Sequence, residues 1–314
     1  MNLLKFMQQY PTEEKCLKAF VEYRLKRGIT CPHCQEETKH YFVNAQKRFE
    51  CKECKKRVSY KKGTMMEKSK LPIQVWFMLI HLMTSTKKSM SALEVSRQLE
   101  IRYDTVWYAM HKIRISMGKR DSRYKLSGTV EVDDAFFVAV DLGRNKNTQL
   151  KRGRGSQRTA KVLVMVESEP ASKKEIVKKY GKETKHNKKR KMGYVKMVVV
   201  DDLSEKTINS KAEENLDKDV SAITDEWRGY SGLKKVIKKV KQTTTPPEKA
   251  MEHLPWVHTV ISNAKKMTSG IHHSVGKEYL QNYLNEFCWK INRRHFSSDP
   301  FERAMCMAVD EYWC

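Results

Sequence analysis

The 314-residue sequence has no apolar run long enough to span a bilayer. Its most apolar stretch, Ile73–Met83, falls far short of the roughly 20 residues a membrane-crossing helix needs. The N-terminal MNLLKFMQQYPTEEKC lacks the basic start and long apolar stretch of an export signal, so an intracellular protein with no membrane partner is expected. Acidic charge is scarce as well: 37 Asp and Glu stand against 62 Lys and Arg, a formal charge of +25. Aromatics are not scarce, and six Trp, thirteen Tyr and 39% hydrophobic residues exclude a disordered polycation, because that much apolar surface can offset the entropy of folding. A folded body with this charge draws in polyanions, and counterion release makes the phosphate backbone the favoured target. Nucleic acid is the expected partner, and the cytoplasm, at the nucleoid, the expected location. The length allows two or three domains.

Disulfides are not expected of eight cysteines in a reducing compartment. Cys31-Pro-His-Cys34 and Cys51-Lys-Glu-Cys54 are instead two matched knuckles separated by sixteen residues, the spacing of a four-cysteine zinc site. Each knuckle turns tightly enough to bring both thiolates to one tetrahedral Zn²⁺ at about 2.3 Å. Tyr41–Val43 and Arg48–Glu50 read as two short strands of the ribbon between them. Lysines and arginines crowd the knuckles, and two roles fit this module: a DNA-facing surface, or a metal-stapled fold with a solvated exterior. Cys16, Cys288, Cys306 and Cys314 have no such spacing and read as ordinary thiols.

Behind the ribbon, Ile73, Trp76, Phe77, Ile80 and Met83 recur at helical spacing after Leu71-Pro72. Ser91 then suits the cap of a short helix that buries Leu93 or Ala92 together with Val95 and Leu99. After a turn, Asp104–Arg114 reads as a second helix capped by Asp104, with Val106, Met110 and Ile113 inward. This is the pattern of a helix-turn-helix, in which Arg102, Thr105, Tyr108 and Lys112 face a major groove.

From Thr129 the alternation becomes that of a strand, with Val130 and Val132 on one face and Thr129, Glu131 and Asp133 on the other. A carboxylate inside an apolar strand is costly unless it is paired or holds a metal. Lys161–Val166 and Tyr194–Val200 read as further strands, Ser204–Leu216 as a helix, and Ala222–Asp225 as a short strand ending in a second acidic residue. That order implies an α/β sheet with carboxylates gathered near strand ends. Two basic segments, Lys151–Arg158 and Lys173–Lys191, lie between strands, and either a phosphate contact or a solvated insertion fits each.

Taken in order, the two knuckles, the helix ending Thr105–Arg114, Val130–Asp134, Thr224–Tyr230 and Tyr283–Arg294 resemble bacterial insertion-sequence transposases of the DDE type with an N-terminal zinc ribbon, the ISXO-like group. The resemblance covers nearly the whole chain. It implies an RNase H-like catalytic domain preceded by a zinc ribbon and a helix-turn-helix. The implied division is 1–66 for an N-terminal helix and the ribbon, 67–122 for the helix-turn-helix, 123–295 for the catalytic domain with a basic insertion at 169–192, and 296–314 for a C-terminal tail. It implies binding of terminal inverted repeats and target DNA, homo-oligomers on DNA, and strand cleavage and transfer, with a first catalytic aspartate at Asp133 and a second at Asp225.

The sequence departs from that group at the third acidic position. Between Trp227 and Lys277 the acidic residues are Glu248 and Glu252 alone, in a Pro-flanked stretch. A register running back from Gly270 places the group's lysine at Lys265, and seven residues earlier stands His258; Asn263 competes for the same role. In-line displacement at phosphorus suits two divalent cations about 3.5–4 Å apart, so Asp133 and Asp225 are expected to hold Mg²⁺ or Mn²⁺, while an imidazole at His258 suits Mn²⁺ better or moves a proton. Asp134, Asp201, Asp202 and Glu226 read as neighbours of the site rather than members. The missing third carboxylate also admits a rival, a catalytically inactive DNA-binding regulator derived from such an enzyme.

Overall fold

A computed structural model describes residues 1–139, 156, 158–173, 189–244, 253–273, 275–294 and 299–310. The chain divides into two compact units, 1–120 with 295–314, and 121–294.

The first unit opens with helices α1 (Leu3–Gln9) and α2 (Glu13–Arg27), the latter capped by the Thr12 hydroxyl. The ribbon follows. β1 (Ile29–Thr30) pairs with β2 (Glu37–Thr38), and β3 (His40–Val43), β4 (Arg48–Cys51) and β5 (Arg57–Ser59) form an antiparallel three-stranded sheet. Both expected strands are there, and a third joins them. Helices α3 (Ile73–Ser85), α4 (Ala92–Leu99) and α5 (Tyr103–Asp121) come next. Ser91 caps α4 by accepting from the Glu94 amide, and Ala92 rather than Leu93 is the buried member of that pair. α5 starts one residue before Asp104, which therefore lies in the first turn instead of at the cap.

The C-terminal stretch set apart as a tail carries a further helix, Pro300–Asp310. Phe301 on that helix joins Phe6, Tyr10, Phe77 and His81 in an aromatic cluster, and the buried Arg24 donates to the Val309 carbonyl at 2.9 Å. These residues close the core of the first unit from the far end of the sequence.

The second unit is built on β6 (Thr129–Val138), β7 (Thr159–Pro170), β8 (Arg190–Val200), helix α6 (Glu205–Asn215), β9 (Ser221–Thr224), a 3₁₀ stretch at Arg228–Lys235, β10 (Lys239–Gln242), and helices α7 (Pro255–His272) and α8 (Leu280–Arg293). The sheet order is β10-β9-β6-β7-β8; β7 is antiparallel to both β6 and β8, while β9 is parallel to β6 and β10 to β9. Three antiparallel strands followed by two parallel ones on the other side of the first make this the RNase H-like arrangement. β10 was not foreseen; Lys-Val-Lys-Gln offers only one apolar residue. Ala135, Phe137, Val162 and Val164 pack under α7 and α8, and Val130, Val132, Leu163 and Met165 pack under α6 and the 3₁₀ stretch.

β8 is one of the sheet's two edges, and an open edge invites pairing with another chain. Side-chain amides of α8 cover it. Asn292 accepts from the Val195 amide at 2.7 Å and donates to the Val195 carbonyl at 2.9 Å, while Gln281 accepts from Val199 N at 2.8 Å and donates to Met197 O at 3.0 Å. Two side chains thus take the place of a neighbouring strand.

Candidate functional site

The period of two along β6 puts Glu131, Asp133, Ala135 and Phe137 on the face toward α7 and Asp134 on the other. β6 and β9 are parallel, with Glu131 opposite Ile223. That pair is the last of the ladder, and Asp133 on β6 and Asp225 just beyond β9 each follow it by two residues. Asp225 therefore lies just past the C-terminal end of β9, while Asp133 is the fifth of the ten residues of β6.

α7 brings the third group. The His258 Nδ1 is 3.5 Å from Asp133 Oδ2. Lys265, seven residues and nearly two full turns later, holds its ammonium 5.8 Å from the Phe137 ring centroid, over the same strand. Asn263 is exposed and sits five residues from His258, about 140° around the helix. The helix start is tied to β6 by a residue to which the sequence assigned no role. Glu131 is 0% exposed, and its Oε2 accepts from the amides of Trp256 at 2.9 Å and Val257 at 2.8 Å.

On the opposite face Asp134 accepts from the Tyr230 hydroxyl at 3.4 Å. Burial first, and then the fields of Asp134, Asp133 and Asp225, hold the Tyr230 phenol well above its usual pKa. One phenol therefore senses all three carboxylates. Nothing in the sequence singled out Tyr230, whereas the rule that a mid-strand carboxylate needs a partner was a usable signal for Glu131. Asp202 lies aside from this group and accepts from the Ser204 amide ahead of α6. Much of the two basic segments, and both Glu248 and Glu252, fall outside the described residues.

In the first unit, the Sγ atoms of Cys31, Cys34, Cys51 and Cys54 lie within 4.8 Å of one another, the only such cluster of His, Cys, Asp or Glu ligand atoms among the described residues. Cys31 and Cys54 are 3.7 Å apart, and Cys34 and Cys51 3.9 Å. A tetrahedron with arms of about 2.3 Å has edges of about 3.8 Å, so the four sulfurs fit a structural zinc ion. The Thr38 hydroxyl, 3.2 Å from Cys51 Sγ, is the largest influence drawing that thiol down to about 6, toward the thiolate a metal requires.

The expected DNA-facing residues divide. Arg102, Thr105 and Tyr108 are exposed, Tyr108 by 55%. Lys112 is not: it is 2% exposed, and its ammonium donates to the Glu67 carbonyl at 2.8 Å, under the Tyr108 ring. The expectation that Lys112 faces a groove is thus corrected. From Ala109 to Met117, α5 is buried almost all round; its exposed residues lie in its first turns, up to Tyr108, and at its C-terminal end, at Lys119 and Arg120.

Comparison with known proteins gives two family matches, the ISXO2-like transposase domain over residues 125–292 and the transposase zinc-ribbon domain over residues 11–57. A relative described as an uncharacterized protein in transposable element ISH50 of Halobacterium salinarum is 23% identical over 151 residues, 48% of this chain and 50% of the relative. The chain therefore spans about half the length of that relative. Two solved structures, the Mos1 transposase paired-end complex with left transposon end and the Mos1 strand transfer complex, are 11% and 13% identical, with TM-scores of 0.22 and 0.23. Each match covers 76% of this chain and, respectively, 80% and 78% of those chains. Likeness at that level adds nothing to the fold read from the strand order.

Proposed function

The chain belongs to the ISXO2-like transposase family, and from that premise we propose that it binds the terminal inverted repeats of its insertion sequence through the first unit and catalyses metal-dependent DNA strand cleavage and strand transfer in the second. The observation that carries this reading is the approach of His258 Nδ1 to Asp133, at 3.5 Å, with Asp225 two residues past the last pair that joins β9 to the strand of Asp133.

Each group has a chemical reason to be there. Ionised Asp133 and Asp225 are acceptor-only oxygen ligands suited to Mg²⁺ or Mn²⁺. Divalent cations held there supply Lewis acidity to an in-line displacement at phosphorus. With Nδ1 turned to Asp133, the imidazole Nε2 is the nitrogen assigned to ligation or proton transfer, and the carboxylate sets that tautomer. Lys265, on the same face of α7, contributes a charge-assisted contact to a backbone phosphate. The distance to Asp133 and the shared face favour His258 over Asn263 for the third position.

For binding, Arg102, Thr105 and Tyr108 at the N-terminal end of α5 are the residues we assign to the repeat, in the manner of a recognition helix whose first residues meet base edges. The lysines and arginines around the zinc knuckles give the same unit further basic residues for the phosphate backbone. Two ends must meet for strand transfer, so a homo-oligomer on DNA belongs to this reading, and sedimentation of the protein with a repeat duplex tests it. The catalytic assignment is tested by Asp133→Asn and Asp225→Asn in a cleavage assay on a terminal-repeat duplex. The amide keeps the shape and loses the charge that holds the cation; cleavage should vanish while duplex affinity persists. Substantial cleavage by Asp133→Asn would discard this active site.

A further inference from the structure

α7 carries the two residues assigned above to chemistry, yet it has no cap of its own. Its N-cap is Leu254, whose side chain makes no cap hydrogen bond, and Pro255 at its start has no amide hydrogen. His258 makes the first intrahelical bond, to Leu254 O. The amides of Trp256 and Val257 are thus the first-turn donors in need of acceptors, and both go to one oxygen of Glu131.

This is an expensive way to cap a helix. A buried carboxylate costs more than a neutral acceptor unless its charge is used. The other oxygen, Oε1, has no hydrogen-bond partner among the described residues, and the Arg190 Nε stands 4.0 Å from it. That guanidinium is itself held by the Ser168 hydroxyl at 2.7 Å, and the Arg190 carbonyl accepts from the Trp256 indole at 2.9 Å. The start of α7 is therefore fixed to β6 by a charge-assisted fork and to β8 by an indole. Two bonds from one oxygen to consecutive amides constrain both translation along the helix axis and rotation about it. The residue after the second amide is His258, and two residues beyond Glu131 on the strand is Asp133.

We propose that Glu131 is a positioning residue, whose buried carboxylate locks the helix of His258 and Lys265 in register with the strand of Asp133. This rests on the active-site reading above. The helix macrodipole and the two charge-assisted bonds make the carboxylate a better lock than an amide, and a shift of about 1 Å at a reacting group is enough to cost on the order of 10²-fold in rate.

The test uses the full chain and four measurements: single-turnover cleavage of a terminal-repeat duplex at saturating protein, duplex Kd, thermal midpoint, and amide hydrogen exchange. Glu131→Gln should slow cleavage on the order of 10²-fold with Kd unchanged and the midpoint close to wild type. Loss of amide protection should be confined to the first turn of α7. Wild-type cleavage by Glu131→Gln overturns the proposal, and if His258→Ala is inactive in the same assay the active-site reading survives it. A slow Glu131→Gln with the first turn still protected overturns it too, because the cap is then not what the charge provides. Protection lost throughout the second unit, with a lowered midpoint, makes Glu131 a fold residue only. Wild-type cleavage by His258→Ala ends the active-site reading and this proposal with it. Should Glu131→Gln fail to fold, Glu131→Asp, which keeps the charge on a shorter stem, is judged by the same criteria.

Discussion

Asp133 and His258 lie 3.5 Å apart on two different elements, so substitutions at His258 carry direct information about the third catalytic position. His258→Ala should abolish cleavage in both Mg²⁺ and Mn²⁺. His258→Glu should restore part of it in Mg²⁺, since a carboxylate oxygen suits that ion better than an imidazole nitrogen. Asn263→Ala should cleave at close to the wild-type rate, and loss there with full activity in His258→Ala would move the role to Asn263. The place of Asp133 within β6 and of Asp225 just past β9 was legible, because each acidic residue stands in or at the end of an apolar run. Lys112 was not: helical spacing shows which residues share a face, but it is silent on a carbonyl 45 residues earlier that receives the ammonium. Tyr230 was equally hidden, because its contact with Asp134 exists only once the 3₁₀ stretch packs against β6.

At the scale of elements, α5 should read DNA with its first turns alone. Arg102→Ala should weaken duplex binding across sequences and reduce the salt slope by about one, and Tyr108→Ala should relax preference for the repeat. Salt-dependent titrations with repeat and scrambled duplexes check both, and no change in either variant would leave α5 a structural helix. The edge of the sheet offers a stability test. Asn292→Ala removes a side chain that bonds Val195 N and O, Asp121 and the Tyr124 hydroxyl, and should cost about 3 kcal/mol in denaturant unfolding, since buried partners are left unsatisfied. β6 was legible from its alternation over its full length, Thr129–Val138, whereas β7 and β8 were legible from runs of valine but extend beyond them. β10 was not, because four polar-rich residues become a strand only through the register that β9 imposes. The same holds at helix starts. α3 receives its cap from Glu13, sixty residues before the Ile73 amide it accepts from at 2.9 Å, and α7 from Glu131, so in both cases a distant carboxylate does what a local Ser or Asp normally signals.

Across the whole molecule, the proposed reading assigns repeat binding to one unit and chemistry to the other, so each should fail separately. Replacing Cys31, Cys34, Cys51 and Cys54 by Ser should reduce bound zinc from about one per chain to none and unfold the ribbon, whose small core does not hold it alone; metal analysis and proteolysis of the N-terminal region check this. Asp225→Asn, by contrast, should leave zinc content and duplex affinity intact. The most direct measurement is strand transfer in Mg²⁺: a duplex carrying the repeat that flanks the gene, pre-cut to expose its terminal 3′-hydroxyl, is incubated with supercoiled target plasmid and either wild type or Asp225→Asn. The expected result is joined product with wild type and none with Asp225→Asn at equal duplex occupancy. Equal product from both proteins, or bound duplex with no joined product from wild type, would contradict a transposase whose chemistry runs on Asp133 and Asp225.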